Sequence, residues 1–158
     1  MRVYLYFIFS AMILFSASCA PQTCYENTDA DVKATFYLES NTTNTAPTNT
    51  APDSLTIYGL NMENDKLYDK SIEIKKAELP LNILASACTY VIRINGENDT
   101  VGFGYNSYPY LISKECGYTY FHDLNPDSLT YTTHKIISVS VIKNTITNLN
   151  EENIRIYY

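Results

Sequence analysis

Between Cys88 and Asn95 the chain reads CTYVIRIN, with Tyr90, Ile92 and Ile94 on one side of a two-residue repeat and Thr89, Val91 and Arg93 on the other. A period of two is that of a half-buried β-strand. The runs VKATFYLES (32–40), SLTIYGLNM (54–62), KSIEIKK (70–76), LPLNIL (79–84), TVGFGYN (100–106) and YPYLIS (108–113) read the same way. So do CGYTYFH (116–122), KIISVSVIKNTI (135–146) and NIRIYY (153–158). Ile72 with Ile74, Leu81 with Ile83, Ile137 with Val139 and Val141, and Ile154 with Ile156 and Tyr158 are expected to face inward. Turn residues punctuate the runs at Asn95-Gly96, Asn106-Ser107 and Asn125-Pro126-Asp127. No window carries a helical period. The pattern predicts an all-β fold, an antiparallel β-sandwich, immunoglobulin-like or related, of about seven to nine strands.

The first residues break this pattern. Arg2 precedes an apolar run from Val3 to Phe15, followed by Ser16, Ala17, Ser18 and Cys19. One positive charge, an apolar core and small residues are the features of a secretory signal peptide. The small residues directly before a cysteine point to the lipoprotein variant, cleaved so that Cys19 becomes a lipid-carrying N-terminus. Ordinary cleavage nearby and an uncleaved anchor are the competing readings. Residues 1–18 are thus read as signal peptide, 19–32 as a lipidated polar tether, and 33–158 as one domain. Within the domain, residues 40–53 contain TNTAP twice in succession and are expected to form a flexible loop.

If Cys19 carries lipid, three thiols remain, and an odd number in an exported chain leaves one unpaired internally. Cys24 and Cys116 lie in polar, turn-like surroundings, while Cys88 sits in a strand and suits a buried thiol. This favours a Cys24–Cys116 disulfide with Cys88 reduced. A Cys88–Cys116 bridge is the alternative, which spacing alone does not decide.

Composition narrows the function classes. The chain has 15 tyrosines, no tryptophan and a formal net charge of −6. An acidic chain without a basic stripe argues against a nucleic-acid partner and against docking on anionic lipid by charge. His122 beside Asp123, with Cys116 nearby, is the sharpest candidate for a nucleophile–base pair, but no third group orients the base. Cysteine and histidine spacing fits no zinc site, and the Asn/Asp-rich stretches lack a complete calcium loop. The expectation is therefore no enzyme, no catalytic residue, no metal and no cofactor. Tyr105, Tyr108, Tyr110, Tyr118 and Tyr120 form a candidate binding platform for sugar rings or a protein.

The segment YLISKECGYTYFHDL, with IISVSVIKNTITNLNEENIRIYY after it, resembles a family of small Bacteroidota lipoproteins of unknown function. Ser113, Lys114, Cys116 and Gly117 carry its first motif. Glu151, Glu152, Asn153, Ile154, Ile156 and Tyr157 carry the last, and Cys24 stands where that family tends to place a second cysteine. The resemblance implies a lipid-anchored β-domain and lends no activity. In that setting the Asp-Ser/Thr-apolar triplets at Ser54, Thr100 and Ser128 look like O-glycosylation acceptors. The functional expectation is an outer-membrane lipoprotein facing the periplasm, held by lipid on Cys19, with an envelope protein as partner. A glycan-binding module using exposed tyrosines is the alternative.

Overall fold

Strand β6 (Ala87–Ile94) keeps the phase expected of it: Tyr90, Ile92 and Ile94 are buried. It runs antiparallel to β7 (Glu97–Ser113) through Asn95-Gly96, which adopt φ of 51° and 96°. Two left-handed residues in a two-residue loop give the turn whose twist matches a hairpin. The other strands are β1 (Val32–Leu38), β2 (Thr48–Asn49), β3 (Leu55–Gly59), β4 (Lys66–Ser71), β5 (Lys76–Leu79), β8 (Gly117–Tyr131), β9 (Ser138–Val141), β10 (Thr145–Ile146) and β11 (Ile154–Tyr157). This computed structural model describes residues 23–39 and 46–158. The expected signal peptide and Cys19 lie outside the described residues, as do residues 40–45 of the repeat-bearing loop.

Two sheets make a β-sandwich with no helix among the described residues. The larger has the order β10-β8-β7-β6-β3-β4, the smaller β2-β1-β11-β9 with β5 also on β1. One edge of β1 is shared, because Val32–Thr35 pair with β5 and Tyr37–Leu38 with β2. Its other edge pairs with β11 in parallel, Ala34 opposite Ile154 and Tyr37 opposite Tyr157. Phe36, Leu55, Ile57, Ile92, Ile94, Ile154 and Ile156 from the two sheets fill one core. Each such side chain contributes roughly 1.5–3 kcal/mol on burial.

Several expectations need correction. There are eleven described strands, not seven to nine, and two of them, β2 and β10, have only two residues. The sandwich is not wholly antiparallel, given the β1–β11 pairing. Residues 48–49 of the expected loop are a strand on β1. KSIEIKK is no strand: β4 and β5 belong to different sheets, and residues 72–75 cross between them with Glu73 at φ 62°. Ile72 is consequently exposed. After β5 the chain turns away, leaving Ile83 exposed and Leu81 half-buried.

Asn106-Ser107 is not a turn, since β7 runs through it for 17 residues. Pro109 is tolerated there because β6 pairs only as far as Gly104, so β7 beyond that point has β8 on one side alone. Asn125-Pro126-Asp127 is a bulge rather than a reversal. Gly104 pairs with Asn125 but Gly102 with Thr130, so β8 loops out and returns to the same neighbour. Ser128 closes the loop, its hydroxyl donating to the Asn125 carbonyl (2.7 Å) and accepting from the Gly104 N–H (2.7 Å). A Cβ on Gly104 would lie 2.7 Å from that oxygen, which explains glycine there.

One buried carboxylate sets the approach to β9. Asp99 is 1% exposed and accepts from Thr132 Oγ1 (2.7 Å) and from the N–H groups of His134 (2.8 Å), Lys135 (2.7 Å) and Ile136 (2.8 Å). This docks residues 132–136 on the end of β7 and drives Ile136 into the core. Ile137, expected inside, is exposed instead. Burial would raise the Asp99 pKa, but the hydrogen bonds from His134, Ile136, Thr132 and Lys135 together hold it down to about 2.

Asp99→Asn is expected to cost about 2–3 kcal/mol at pH 7, since it leaves buried N–H groups facing an amide. The folded carboxyl titrates below its unfolded value of 3.8. Its stabilisation is therefore complete above about pH 5 and fades as the pH falls toward 2. Urea melts of both proteins should show the gap between them narrowing from pH 7 to pH 3. A gap independent of pH would remove the charge from this account.

Candidate functional site

Where β7 and β8 outrun the rest of the sandwich they form an arm closed by Lys114, Glu115 and Cys116. The Cys116 N–H donates to Ser113 Oγ (3.0 Å), and Gly117 takes φ 72°. The Ser-Lys-x-Cys-Gly segment is thus a hairpin turn, needing Ser to close it and Gly for its left-handed residue. A disulfide joins Cys116 to Cys24, with their Cα atoms 4.7 Å apart. Thr119 Oγ1 also donates to the Thr28 carbonyl (2.6 Å), and Asn148 Nδ2 to that of Asn27 (2.8 Å). The segment before β1 is therefore tied to the arm by the bridge and Thr119, and to the loop after β10 by Asn148.

The five tyrosines divide. Tyr105 is buried in the core, and its hydroxyl both donates to the Asn82 carbonyl (2.9 Å) and accepts from the Asn82 N–H (3.1 Å). It is a strut for the 80–86 loop, not part of a platform, and burial raises its pKa. Tyr108 is half-buried, edge-on to Phe121 at 6.4 Å, and Tyr110 stacks on the same ring at 4.3 Å. Tyr110 is itself 47% exposed on that face, while Tyr118 (73%) and Tyr120 (41%) present exposed rings on the opposite one. Across β7 they meet Leu111 and Pro109, so the four side chains make one apolar surface near the turn.

The Cys116–His122 pair, already disfavoured by the sequence, does not form, because Cys116 is in the disulfide. His122 is buried, its Nδ1 2.8 Å from Ser107 Oγ and its ring edge-on to Tyr105 at 5.6 Å. Burial lowers its pKa, which keeps the ring neutral at pH 7. Alternation along the two strands could have suggested the Ser107–His122 pair, had they been read as continuous past Ser107. Among the described residues no cluster of His, Cys, Asp and Glu suits a metal ion.

Of the acceptor triplets, Ser128 commits its hydroxyl to the β8 bulge. Thr100 follows Asp99, whose carboxylate is buried. Ser54 follows an exposed Asp53 and has its N–H held by Asn95 Oδ1 (3.0 Å).

One concave feature has no counterpart among the sequence expectations. An open groove of about 710 Å³ lies at the end of the sandwich where the β3–β4 turn, the loop after β5 and the start of β6 meet. Leu60 (49% exposed), Met62 (52%) and Leu67 (41%) form one wall and Pro80 and Leu81 another. The Tyr90 hydroxyl donates to the Pro80 carbonyl, fixing the second wall on β6. Cys88 is free and lines the groove, and burial pushes its thiol up to about 12, which disfavours the thiolate at neutral pH.

Residues 54–158 match the family described as "Family of unknown function (DUF6452)", and the chain belongs to that family. The match holds all six strands of the larger sheet, the groove and Cys116, but not β1 or Cys24. No curated protein and no solved structure matches the chain.

Peptide mapping without reduction should recover Cys24 joined to Cys116, with Cys88 alkylated only after denaturation. Replacing both bridged cysteines by alanine should lower stability by about 2–4 kcal/mol. It should also expose residues 23–31 to protease while leaving the core folded. Recovery of Cys88 in a disulfide would contradict the arrangement.

Proposed function

We propose that this member of the DUF6452 family is a lipid-anchored, non-catalytic β-sandwich that holds a protein partner at the outer membrane, facing the periplasm. The observation that carries the binding role is the groove, where Leu60, Met62 and Leu67 keep much of their apolar surface in water beside Pro80 and Leu81. Apolar groups clustered in a concavity mark a binding site more often than scattered ones do. Edge strand β4 runs from the same wall and carries Lys66, Asp69 and Lys70, charges that discourage indiscriminate strand pairing. An extended apolar segment of a partner suits this wall.

The anchor rests on the small residues before Cys19 and on Cys24, whose bridge ties the chain directly behind the lipid site to the domain. Glycan binding is the weaker reading. The groove's tyrosine, Tyr90, has its hydroxyl committed to Pro80, and the exposed tyrosines of the candidate platform, Tyr110, Tyr118 and Tyr120, lie on the arm.

Mass spectrometry of the protein from its native membrane should give an N-terminus at Cys19 with acyl mass, and Cys19→Ser should abolish it. A photo-crosslinking residue in place of Met62 should capture one discrete protein in cells, with at least about a tenfold loss on Leu67→Asp. Diffuse adducts indifferent to Leu67→Asp would exclude the groove as a binding site.

A further inference from the structure

The inward-facing positions of β7 run Val101, Phe103, Tyr105, then Ser107, Pro109 and Leu111. The first three are buried, whereas Leu111 is 47% exposed, because the arm has left the smaller sheet behind. Tyr118 and Tyr120 of β8 pair with Leu111 and Pro109 and share this face. The result is an apolar, aromatic surface at the core-facing phase of a strand pair with no sheet opposite it.

What covers it is indicated by its place on the chain. Tyr118 is two residues from Cys116, which is covalently joined to Cys24. Cys24 is five residues after Cys19. Covalent geometry limits that span to about 18 Å, however the intervening residues run. Tyr120 lies about 13 Å along the strand from Cys116. A lipid on Cys19 therefore holds the membrane within reach of this surface, whereas no such link ties it to the Asn95-Gly96 turn. That turn is joined to the opposite end of β7, roughly 50 Å away along the strand.

The chemistry also suits a bilayer interface. Tyrosine places an apolar ring among acyl chains and a hydroxyl at the headgroups. Charges around the turn nearly cancel, with Lys114 against Glu115, and Glu26 beside the bridge. Attraction to anionic lipid is not what this surface offers. Tyr25, 92% exposed, follows Cys24 directly and adds a further ring on the tether side.

We propose that the arm face formed by Pro109, Leu111, Tyr118 and Tyr120 rests in the lipid interface and sets the orientation of the anchored domain. This deepens the proposed function and depends on lipidation of Cys19. The lack of native tryptophan allows a single reporter. Tyr118→Trp, at an exposed position, and Glu97→Trp at the far end of β7 would be made in the full chain. Each would be purified with its lipid and reconstituted in phosphatidylethanolamine–phosphatidylcholine vesicles brominated high on the acyl chains. The indole of the Tyr118→Trp protein should lose at least about half its emission, as a side chain in the interface would. That of the Glu97→Trp protein should be unaffected. Tyr118→Trp protein that carries acyl mass and floats with vesicles, yet is not quenched, overturns the orientation and leaves the anchor standing. Protein without acyl mass that fails to float overturns both. Equal quenching of the two variants means a domain lying without preferred orientation, and also rejects the proposal.

Discussion

The fold is organised by a mismatch in length. At about 3.3 Å per residue, the 17 residues of β7 span roughly 55 Å, whereas the four residues of β11 or β9 span about 13 Å. No packing of the smaller sheet covers the whole of the β7–β8 hairpin. The part that is covered becomes core, and the remainder must be stabilised by other means. Phe121 with Tyr108 and Tyr110 on one face, the disulfide at the turn and the bound segment before β1 supply them. An isolated two-stranded ribbon is marginal in water, so these local contacts are what let the arm persist.

The smaller sheet is held by the pairing of the first and last described strands. β1 and β11 pair in parallel at the centre of the smaller sheet, and Asn153 locks their junction. Its Oδ1 accepts from the Lys33 N–H (2.9 Å), its own N–H reaches the Lys33 carbonyl (3.0 Å), and its carbonyl accepts from Ile142 (2.7 Å). Loss of that side chain would leave a buried N–H without an acceptor. Lys33, itself buried, reaches out to Glu78 at 3.0 Å, which satisfies its charge at the protein surface. The cysteine bridge and this junction hold the chain behind residue 22 to the domain along its length.

Alternation made the cores of β6 and β11 legible, because a strand buried on one face writes a period of two into the sequence. Asn95-Gly96 was legible because few sequences besides such a pair adopt two left-handed residues in a row. The failures have a common cause: local signals do not report what the neighbouring strand does. Asn125-Pro126-Asp127 does make a local turn, yet β7 continues alongside and takes β8 back. Ile72 and Ile74 alternate as a strand would, but they fall where the chain changes sheets. Ile136 displaced Ile137 from the core because Asp99, 37 residues earlier, captures the Ile136 N–H. The cysteine pairing was accessible from polar context, since two turn-like cysteines bridge more readily than a turn and a strand. The groove was not, because its walls come from three separated segments, none with a signature of its own.

Taken with the two functional proposals, the arm becomes a spacer. The groove sits at the level where β6 begins and β7 leaves the sandwich, since Ala87 pairs with Gly104 and Tyr105 braces the groove's loop at Asn82. From Tyr105 to Leu111 the arm extends about 20 Å. With Pro109 and Tyr120 in the interface as well, an arm standing upright would hold the groove about 13 Å above it. A flexible tether could not fix such a height, because its end-to-end distance fluctuates on the scale of its own length. With Cys24 bridged to the tip, only five residues would separate a lipid on Cys19 from the arm. On these proposals the bridge would favour partners whose apolar segment is presented at one distance from the membrane.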